Sequence, residues 1–289
     1  MGTGFSVIKY SEIIRILYFR VQYGCEDGHF DLDGTLIDTI RDLAAAVEHA
    51  LSMGGYPGHT VDEYRNMVGH GIRNLVTRAL PEGSPEDVIE ESLKRFVDYY
   101  TSHIDVLSRP YPGIPELLEK LSSDGFSLAV ASNKFQEGTE TLIRRFFPEI
   151  PFVKILGNAP GLPLKPDPEV IRLAIAAACH SLNEAGSPPG RGRVHSRFAA
   201  AEYGRWPVAQ PAQVPSSGGE PVNEPVNEPV NAVMVGDSAT DIKTAKNAGI
   251  PAIGVSWGFR PRADLEIADA IADTPEQLND LIRIFTGKN

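Results

Sequence analysis

The chain has 289 residues, enough for one large domain or two smaller ones, and with 38 Asp or Glu against 27 Lys or Arg its formal net charge is −11. This acidic balance disfavours a nucleic-acid partner, because phosphate backbones attract basic surfaces. The two cysteines, Cys25 and Cys179, can form neither a disulfide framework nor a zinc cluster with the scattered histidines, which indicates a reducing compartment and a cytoplasmic protein.

The N-terminal segment, residues 1–28, has an atypical pattern. Its apolar stretch is interrupted by charged residues, among them Arg15 and Arg20, and no small-residue cleavage site follows, so we expect neither a signal peptide nor a membrane span. Residues 23–29 then lack the nearly continuous apolar run of a central parallel strand. We therefore expect either a mis-formed first strand or an aberrant N-terminal sequence.

The sequence Asp31-Leu32-Asp33-Gly34-Thr35 carries the strongest chemical signal. It places two carboxylates two residues apart at the end of a predicted strand and then turns at Gly34. One carboxylate can attack phosphorus as a nucleophile, while its neighbour protonates the leaving oxygen and later deprotonates a water. Two carboxylates and a phosphate concentrate negative charge, so such a site needs a hard divalent cation, usually Mg²⁺, and further acids should follow downstream.

Two acids at this spacing also occur in sites that do not hydrolyse phosphate esters. An EF-hand loop counted from Asp31 would need Gly at position 6 and Glu at position 12, where the chain has Leu36 and Asp42, so an EF-hand is excluded. An Asp-x-Asp metal clamp of a sugar transferase and a polar turn that caps a helix both remain open on these five residues alone.

Residues 41–107 are predicted to form a small helical domain. Apolar residues recur at helical spacing over residues 39–53, and Gly54-Gly55 ends that helix. Shorter helices are predicted over residues 61–67 and 71–80, and a longer one begins at Ser84-Pro85-Glu86-Asp87, where a cap residue, a proline and two acids follow one another. No strand is predicted among them, so the helices form an insertion after the first strand.

Residues 29–40 and 108–289 are predicted to form an α/β core. Buried strands are expected over residues 126–131, 152–156, 232–237 and 252–255, and helices alternate with them. This alternation predicts a mostly parallel sheet covered on both faces. In such sheets ligands bind beyond the carboxyl ends of the strands.

Residues 182–231 interrupt this core with a different composition. Pro and Gly are dense, large aliphatic residues are few, and Glu-Pro-Val-Asn occurs three times from Glu220 onward. A period of four residues is too short for a solenoid unit, so we interpret the segment as a disordered insertion, with an interaction tail as the alternative.

Polar residues follow the predicted strands at the positions where a ligand would bind. They are Ser132, Lys165, Asp237 and Asp241. Each could have a purely structural role, as a cap, a solvent-facing lysine or an acid near a helix N-terminus. Their joint occurrence after Asp31 and Asp33 points instead to a phosphate site.

With these motifs the chain resembles the haloacid dehalogenase superfamily of phosphatases, and within it the phosphoglycolate phosphatase branch. The resemblance covers residues 30–180 and 232–285. It implies an α/β fold, a Rossmann-like doubly wound parallel sheet with a small inserted α-helical cap domain.

The resemblance also implies the role of each motif residue. Asp31 would be the nucleophile that forms an aspartyl-phosphate, and Asp33 the general acid and then base. Ser132 would hydrogen-bond the phosphoryl oxygens, and Lys165 would offset the charge on Asp31 and the phosphate.

A Mg²⁺ site and substrate contacts are implied in the same way. The Asp31 carboxylate, the Asp33 main-chain carbonyl and Asp237 would hold the ion, with Asp241 in support. The cap would close over the site and select the substrate. The expected substrate-binding residues are Thr35, Gly69, His70, Gly71 and Asn133. Lys134 and Arg260 are further cations within reach of an anionic substrate, and an exposed loop position is the alternative for His70.

The expected function is Mg²⁺-dependent hydrolysis of a small phosphorylated metabolite, with 2-phosphoglycolate as the leading substrate. Neither a nucleic acid nor a membrane is expected as a partner, and the chain is expected to be a monomer or homodimer. A dehalogenase is disfavoured, because carbon–halogen displacement does not require a second acid like Asp33. Two alternatives remain, a sugar phosphomutase of the same superfamily and a non-catalytic binding protein on the same scaffold.

Overall fold

The structure, a computed structural model, describes residues 26–185 and 231–288. Residues 1–25 and most of the predicted 182–231 insertion lie outside the described residues. The strands within these ranges are β1 (Glu26–Phe30), β2 (Ile37–Asp38), β3 (Arg109–Pro110), β4 (Ser127–Phe135), β5 (Lys154–Asn158), β6 (Asn231–Gly236), β7 (Ala252–Val255) and β8 (Ala270–Ala272). The α-helices are α1 (Ile40–Gly54), α2 (Val61–Met67), α3 (Ile72–Ala79), α4 (Glu86–His103), α5 (Ile114–Ser123), α6 (Gln136–Phe146), α7 (Glu169–Ala185), α8 (Ala239–Ala248) and α9 (Pro275–Thr286).

Six strands form a parallel sheet in the order β5-β4-β1-β6-β7-β8. Side chains alternate between its two faces, so Leu128 and Val130 of β4 pack in one apolar cluster and Ala129 and Ala131 pack in the other. Apolar residues of α5, α6 and α9 cover the first face, and those of α7 and α8 cover the second. The expected fold class, a doubly wound α/β sheet, is confirmed.

Strand β1 is well formed, so the expectation of a mis-formed first strand is wrong. It lies in the centre of the sheet, where Phe30 pairs with Val130 of β4 and Val235 of β6. Two neighbours with apolar runs supply a complete hydrogen-bonding ladder on both edges, and this overrides the polar composition of β1 itself. The strand starts at Glu26, three residues before the expected core boundary, and it buries Asp27 and His29 completely.

Helices α1 to α4 follow one another without a sheet strand between them. Strand β2, before the insertion, pairs antiparallel with β3, after it. The two connections between the insertion and the core therefore lie next to each other. Asp42 of α1 fixes this junction, since its carboxylate accepts hydrogen bonds from the N–H of Leu107 (2.9 Å) and from the N–H and Oγ of Ser108 (2.8 and 2.7 Å). The helical insertion is thereby tied to the carboxyl-end edge of the sheet.

Among the described residues, no helix is both long enough and apolar enough to cross a membrane.

Candidate active site

A cavity at the carboxyl ends of the central strands brings most of the predicted site residues together. Asp31 directly follows β1, Ser132 and Lys134 lie near the end of β4, and Asp237 directly follows β6. Because these strands are parallel neighbours, their ends meet at one edge of the sheet. The cavity is also lined by Lys165, from the loop before α7, and by Asp241, from the first turn of α8.

The backbone places Asp31 and then turns sharply. The N–H of Asp31 donates to the carbonyl of Val235 (2.9 Å), which extends the β1–β6 ladder up to the carboxylate. Gly34 follows with a φ of +84°, and a Cβ at this position would lie 2.3 Å from Asp237 Oδ2. The turn can therefore approach Asp237 only with glycine at residue 34.

Lys165 binds two of the carboxylates. Its Nζ donates to Asp31 Oδ1 (2.8 Å), to Asp241 Oδ1 (2.6 Å) and to the carbonyl of Ala131 (2.8 Å), which uses all three of its N–H groups. Burial opposes its charge, but Asp241 and Asp31 outweigh burial and raise the pKa of Lys165. The lysine is therefore a fixed cation between Asp31 and Asp241.

Three buried carboxylates form a cluster that suits a metal ion. Asp31, Asp237 and Asp241 each offer one oxygen, and these oxygens all lie within 4.8 Å of one another. Burial raises the pKa of Asp31 to about 7 although Lys165 opposes the rise, and burial together with Asp241 and Asp31 raises the pKa of Asp237 well above its usual range. Carboxylates this close repel one another when all are ionised. A hard divalent cation, which prefers oxygen ligands, would offset this repulsion.

Local hydrogen bonds hold oxygens of Asp237 and Asp241. Asp237 Oδ2 accepts from the N–H of Phe259 (2.6 Å). Asp241 Oδ2 accepts from the Oγ (2.6 Å) and N–H (3.1 Å) of Ser238, which forms a capping box at the start of α8. Asp241 is thus both a helix N-terminal acid and a member of the carboxylate cluster.

Asp33 is held apart from this cluster. Its Oδ1 accepts from Thr39 Oγ1 (2.6 Å) and from Lys134 Nζ (3.2 Å), and its side chain is 13% exposed. Asp31 and Asp33 both line the cavity, so two carboxylates from one short segment face the same space.

The helical insertion supplies the opposite wall of the cavity. Its contribution comes from the loop between α2 and α3 and from α3, through Val68, Gly69, Gly71, Ile72 and Leu75. Asn133 Nδ2 donates to the carbonyl of Gly69 (3.0 Å), and the Arg260 guanidinium donates to the carbonyls of Arg65 (2.6 Å) and Val68. These contacts bring the insertion against the catalytic edge of the sheet.

A family model for haloacid dehalogenase-like hydrolases matches residues 29–185, which is more than half of the chain. The chain belongs to this family. A second model, described as HAD-hydrolase-like, matches residues 193–281.

Relatives agree with this assignment. The phosphoglycolate phosphatase of Mesorhizobium japonicum is 33% identical over 236 residues, which cover 81% of this chain and 83% of that protein. The phosphoglycolate phosphatase of Agrobacterium fabrum is 32% identical over 262 residues, which cover 88% and 92%. Among solved structures, a candidate phosphoglycolate phosphatase from Lactobacillus delbrueckii subsp. bulgaricus matches with a TM-score of 0.67 and 27% identity over 90% of this chain and 99% of that one. The expected superfamily, the branch it resembles most and the phosphatase class are confirmed.

In this haloacid dehalogenase-like chain, two expected substrate contacts do not reach the cavity. Thr35 is completely buried and does not line the cavity, and its hydroxyl has no hydrogen-bond partner among the described residues. His70 is exposed and does not line the cavity, unlike its neighbours Gly69 and Gly71. The alternative of an exposed loop residue fits the position of His70.

Two further expected contacts face the cavity but bind protein groups. Asn133 donates to the carbonyls of Gly69 (3.0 Å) and Lys165 (3.2 Å) and accepts from the N–H of Lys165 (2.8 Å), so its amide joins the insertion to the catalytic loop. The Arg260 guanidinium donates hydrogen bonds to the backbone at the end of α2.

Ser132, the expected phosphoryl contact, is buried at the cavity wall. Its Oγ accepts from the N–H of Lys134 (3.3 Å).

The sequence did not reveal Thr39, whose hydroxyl bonds Asp33, or Tyr100, whose hydroxyl bonds Lys134. Thr39 resembles an ordinary residue at the start of α1, and Tyr100 resembles a core residue of α4, because each occupies a position that helical periodicity already accounts for. The six-residue spacing of Thr39 from Asp33 is a weak local signal, whereas nothing in the sequence connects Tyr100 with Lys134.

Proposed function

We propose that the chain is a Mg²⁺-dependent phosphomonoesterase that hydrolyses a small phosphorylated metabolite, 2-phosphoglycolate, through an aspartyl-phosphate on Asp31. The observation that carries the proposal is the pairing of Asp31 with Lys165 inside the carboxylate cluster, with Asp33 held separately beside the same cavity. The names of the relatives support the choice of substrate.

The first half-reaction transfers the phosphoryl group to Asp31. Oδ1 of this carboxylate is held by Lys165, so Oδ2 attacks phosphorus and the bond from phosphorus to the ester oxygen breaks. Asp33 gives its proton to the departing oxygen. The ammonium of Lys165 and the hydroxyl of Ser132 stabilise the charge on the phosphoryl oxygens.

The second half-reaction releases phosphate. Asp33, now ionised, takes a proton from a water, whose oxygen attacks phosphorus as the bond to Asp31 breaks. Both carboxylates return to their initial states and inorganic phosphate leaves.

Mg²⁺ fits the cluster of Asp31, Asp237 and Asp241, with the main-chain carbonyl of Asp33 as a further ligand. When bound, it supplies positive charge that lets the carboxylates and the phosphate share one site. Phe259 and Ser238 donate hydrogen bonds to Asp237 Oδ2 and Asp241 Oδ2, and such contacts orient carboxylates that would hold the ion.

The test is phosphate release from 2-phosphoglycolate and a panel of small phosphoesters, with Mg²⁺ and with excess chelator. We expect Mg²⁺-dependent release that Asp31→Asn abolishes while the variant melts as a folded protein. Asp280→Asn on α9 is the matched control and should keep full turnover, because Asp280 is exposed and remote from the cavity.

The other outcomes identify the alternatives. Release near the parent level in Asp31→Asn would refute the assigned nucleophile. Activity that requires a sugar bisphosphate would indicate the phosphomutase, and a folded protein without turnover on any phosphoester would indicate the non-catalytic scaffold.

A further inference from the structure

Lys134 is a buried lysine next to the active site whose role the two half-reactions leave open. It lies near the end of β4, and only 1% of its side chain is exposed. Its Nζ lies 3.2 Å from Asp33 Oδ1 and 3.4 Å from Asp33 Oδ2, so the ammonium group bridges both oxygens of the proposed acid. A bridging cation and the Thr39 hydroxyl on Oδ1 together define the plane of the Asp33 carboxylate.

Besides the two oxygens of Asp33, Lys134 contacts one residue of the helical insertion. Its Nζ donates to Oη of Tyr100 (2.6 Å), which belongs to α4. Tyr100 is fully buried, stacks on Phe96 with ring centroids 5.2 Å apart and meets Phe135 of β4 edge-on at 6.2 Å. Burial, then the charges of Asp33 and Asp42, raise the pKa of Tyr100 well above its usual range, so it stays a neutral acceptor for the ammonium.

Stability alone does not account for a buried pair of this kind. Burying an ammonium and a carboxylate costs solvation that offsets most of their attraction, and replacing both partners with apolar side chains is often neutral. A contact that orients a proton donor can instead contribute to the reaction rate, because a displacement of the donor by about 1 Å can lower the rate roughly 100-fold.

We propose that Lys134 is a positioning residue that holds Asp33 in the orientation for proton transfer, and that Tyr100 of the helical insertion holds Lys134 in place. Seating of α4 against the sheet is thereby coupled to the acid–base step. The inference rests on the proposed function and adds to it a link between the insertion and Asp33.

The test compares leaving groups, because only a basic leaving group needs the Asp33 proton. Rapid-quench measurements give the rate of the first half-reaction for 2-phosphoglycolate, whose alkoxide requires protonation, and for p-nitrophenyl phosphate, whose phenolate does not. For Lys134→Met we expect the rate with 2-phosphoglycolate to fall about 10- to 100-fold, and the rate with p-nitrophenyl phosphate to fall less than about 3-fold. KM should change by less than about 3-fold, because Lys134 is expected to act through Asp33.

Variants at Tyr100 test the coupling and cover the case in which Lys134→Met does not fold. Tyr100→Phe should reproduce the same leaving-group dependence with a smaller fall of about 3- to 10-fold, and it should add nothing in the Lys134→Met background. Tyr99→Phe is the control, since Tyr99 lies on the same helix and stacks between His49 and His103 instead of facing Asp33.

Three results would overturn the inference. Equal falls with both substrates would show a general structural role, and a raised KM with unchanged rates would make Lys134 a substrate contact. Additive effects of the two substitutions would break the link to Tyr100. In each of these cases the parent chain remains an active phosphatase, whereas a parent chain that is inactive on both esters would refute the proposed function as well.

Discussion

At Gly34 the backbone and a neighbouring side chain both require a hydrogen atom in place of a Cβ. Its φ is +84°, and an added Cβ would lie 2.3 Å from Asp237 Oδ2. Gly55, at the end of α1, has a similar φ of +74°, but a Cβ there would have no atom within 4 Å. A substitution at Gly55 therefore tests backbone strain alone. A substitution at Gly34 tests backbone strain together with collision against Asp237, a proposed metal ligand.

We predict that Gly34→Ala lowers the free energy of unfolding by about 2 to 4 kcal/mol and turnover by about 100-fold or more, because the strained backbone and the displaced Asp237 both contribute. Gly55→Ala should cost only about 1 to 2 kcal/mol and keep full turnover. Chemical denaturation and steady-state assays of both variants provide the measurement. Similar turnover in the two variants would contradict the collision with Asp237.

Residues of the segment 31–35 also show which side-chain positions the sequence could predict. The position of Asp31 and Asp33 at one cavity was predictable, because the two residues lie two apart within one segment that follows a strand. Thr35 belongs to the same segment, yet it is completely buried and does not line the cavity. The burial of a residue in a tight turn depends on what packs over it, and spacing along the chain does not show that.

Among the elements, helices with strong end signals were predicted most accurately. Residues 61–67 were predicted as a helix and form one with the same bounds, since Thr60 and Glu63 make a capping box. Strands β2, β3 and β8 were missed because two or three residues are too few to show a period. Strand β1 was misjudged because its neighbours, rather than its own composition, stabilise it.

The end of α2 shows a contact between elements that the sequence did not reveal. Arg260, from the loop after β7, donates to the carbonyls of Arg65 (2.6 Å), in the last turn of α2, and of Val68, the residue that follows the helix. The guanidinium therefore caps α2 and anchors the adjoining loop, residues 68–71, at the cavity.

We predict that Arg260→Met speeds amide hydrogen exchange in residues 61–71 by at least about 10-fold in the absence of any substrate, because charged hydrogen bonds worth about 1.5 to 3 kcal/mol each are lost and one such bond already corresponds to about 10-fold. Mass spectrometry of the exchanged peptides provides the measurement. Arg262→Met is the matched control, because Arg262 is exposed and pairs with Asp273 away from α2. Unchanged exchange with a raised KM would instead show that Arg260 acts only on the substrate.

For the molecule as a whole, the central strand places a histidine where an apolar residue would be expected. His29 pairs with Ala129 and Met234 in the sheet, is completely buried, and neither ring nitrogen has a hydrogen-bond partner among the described residues. Burial lowers the pKa of His29 from 6.5 to about 4. The folded protein therefore keeps this ring neutral over a pH range in which the unfolded chain protonates it.

We predict that His29→Val raises the free energy of unfolding by about 1 to 2 kcal/mol at pH 7.5, because it removes buried polar atoms without partners. The gain should grow as the pH falls from about 6.5 towards 4, since there the unfolded parent chain binds a proton that the folded chain does not. At pH 5 this adds about 2 kcal/mol. Denaturation curves at several pH values provide the measurement, and His70→Val is the control because His70 is exposed. A gain that stays constant from pH 7.5 to 5 would show that His29 is protonated within the folded sheet.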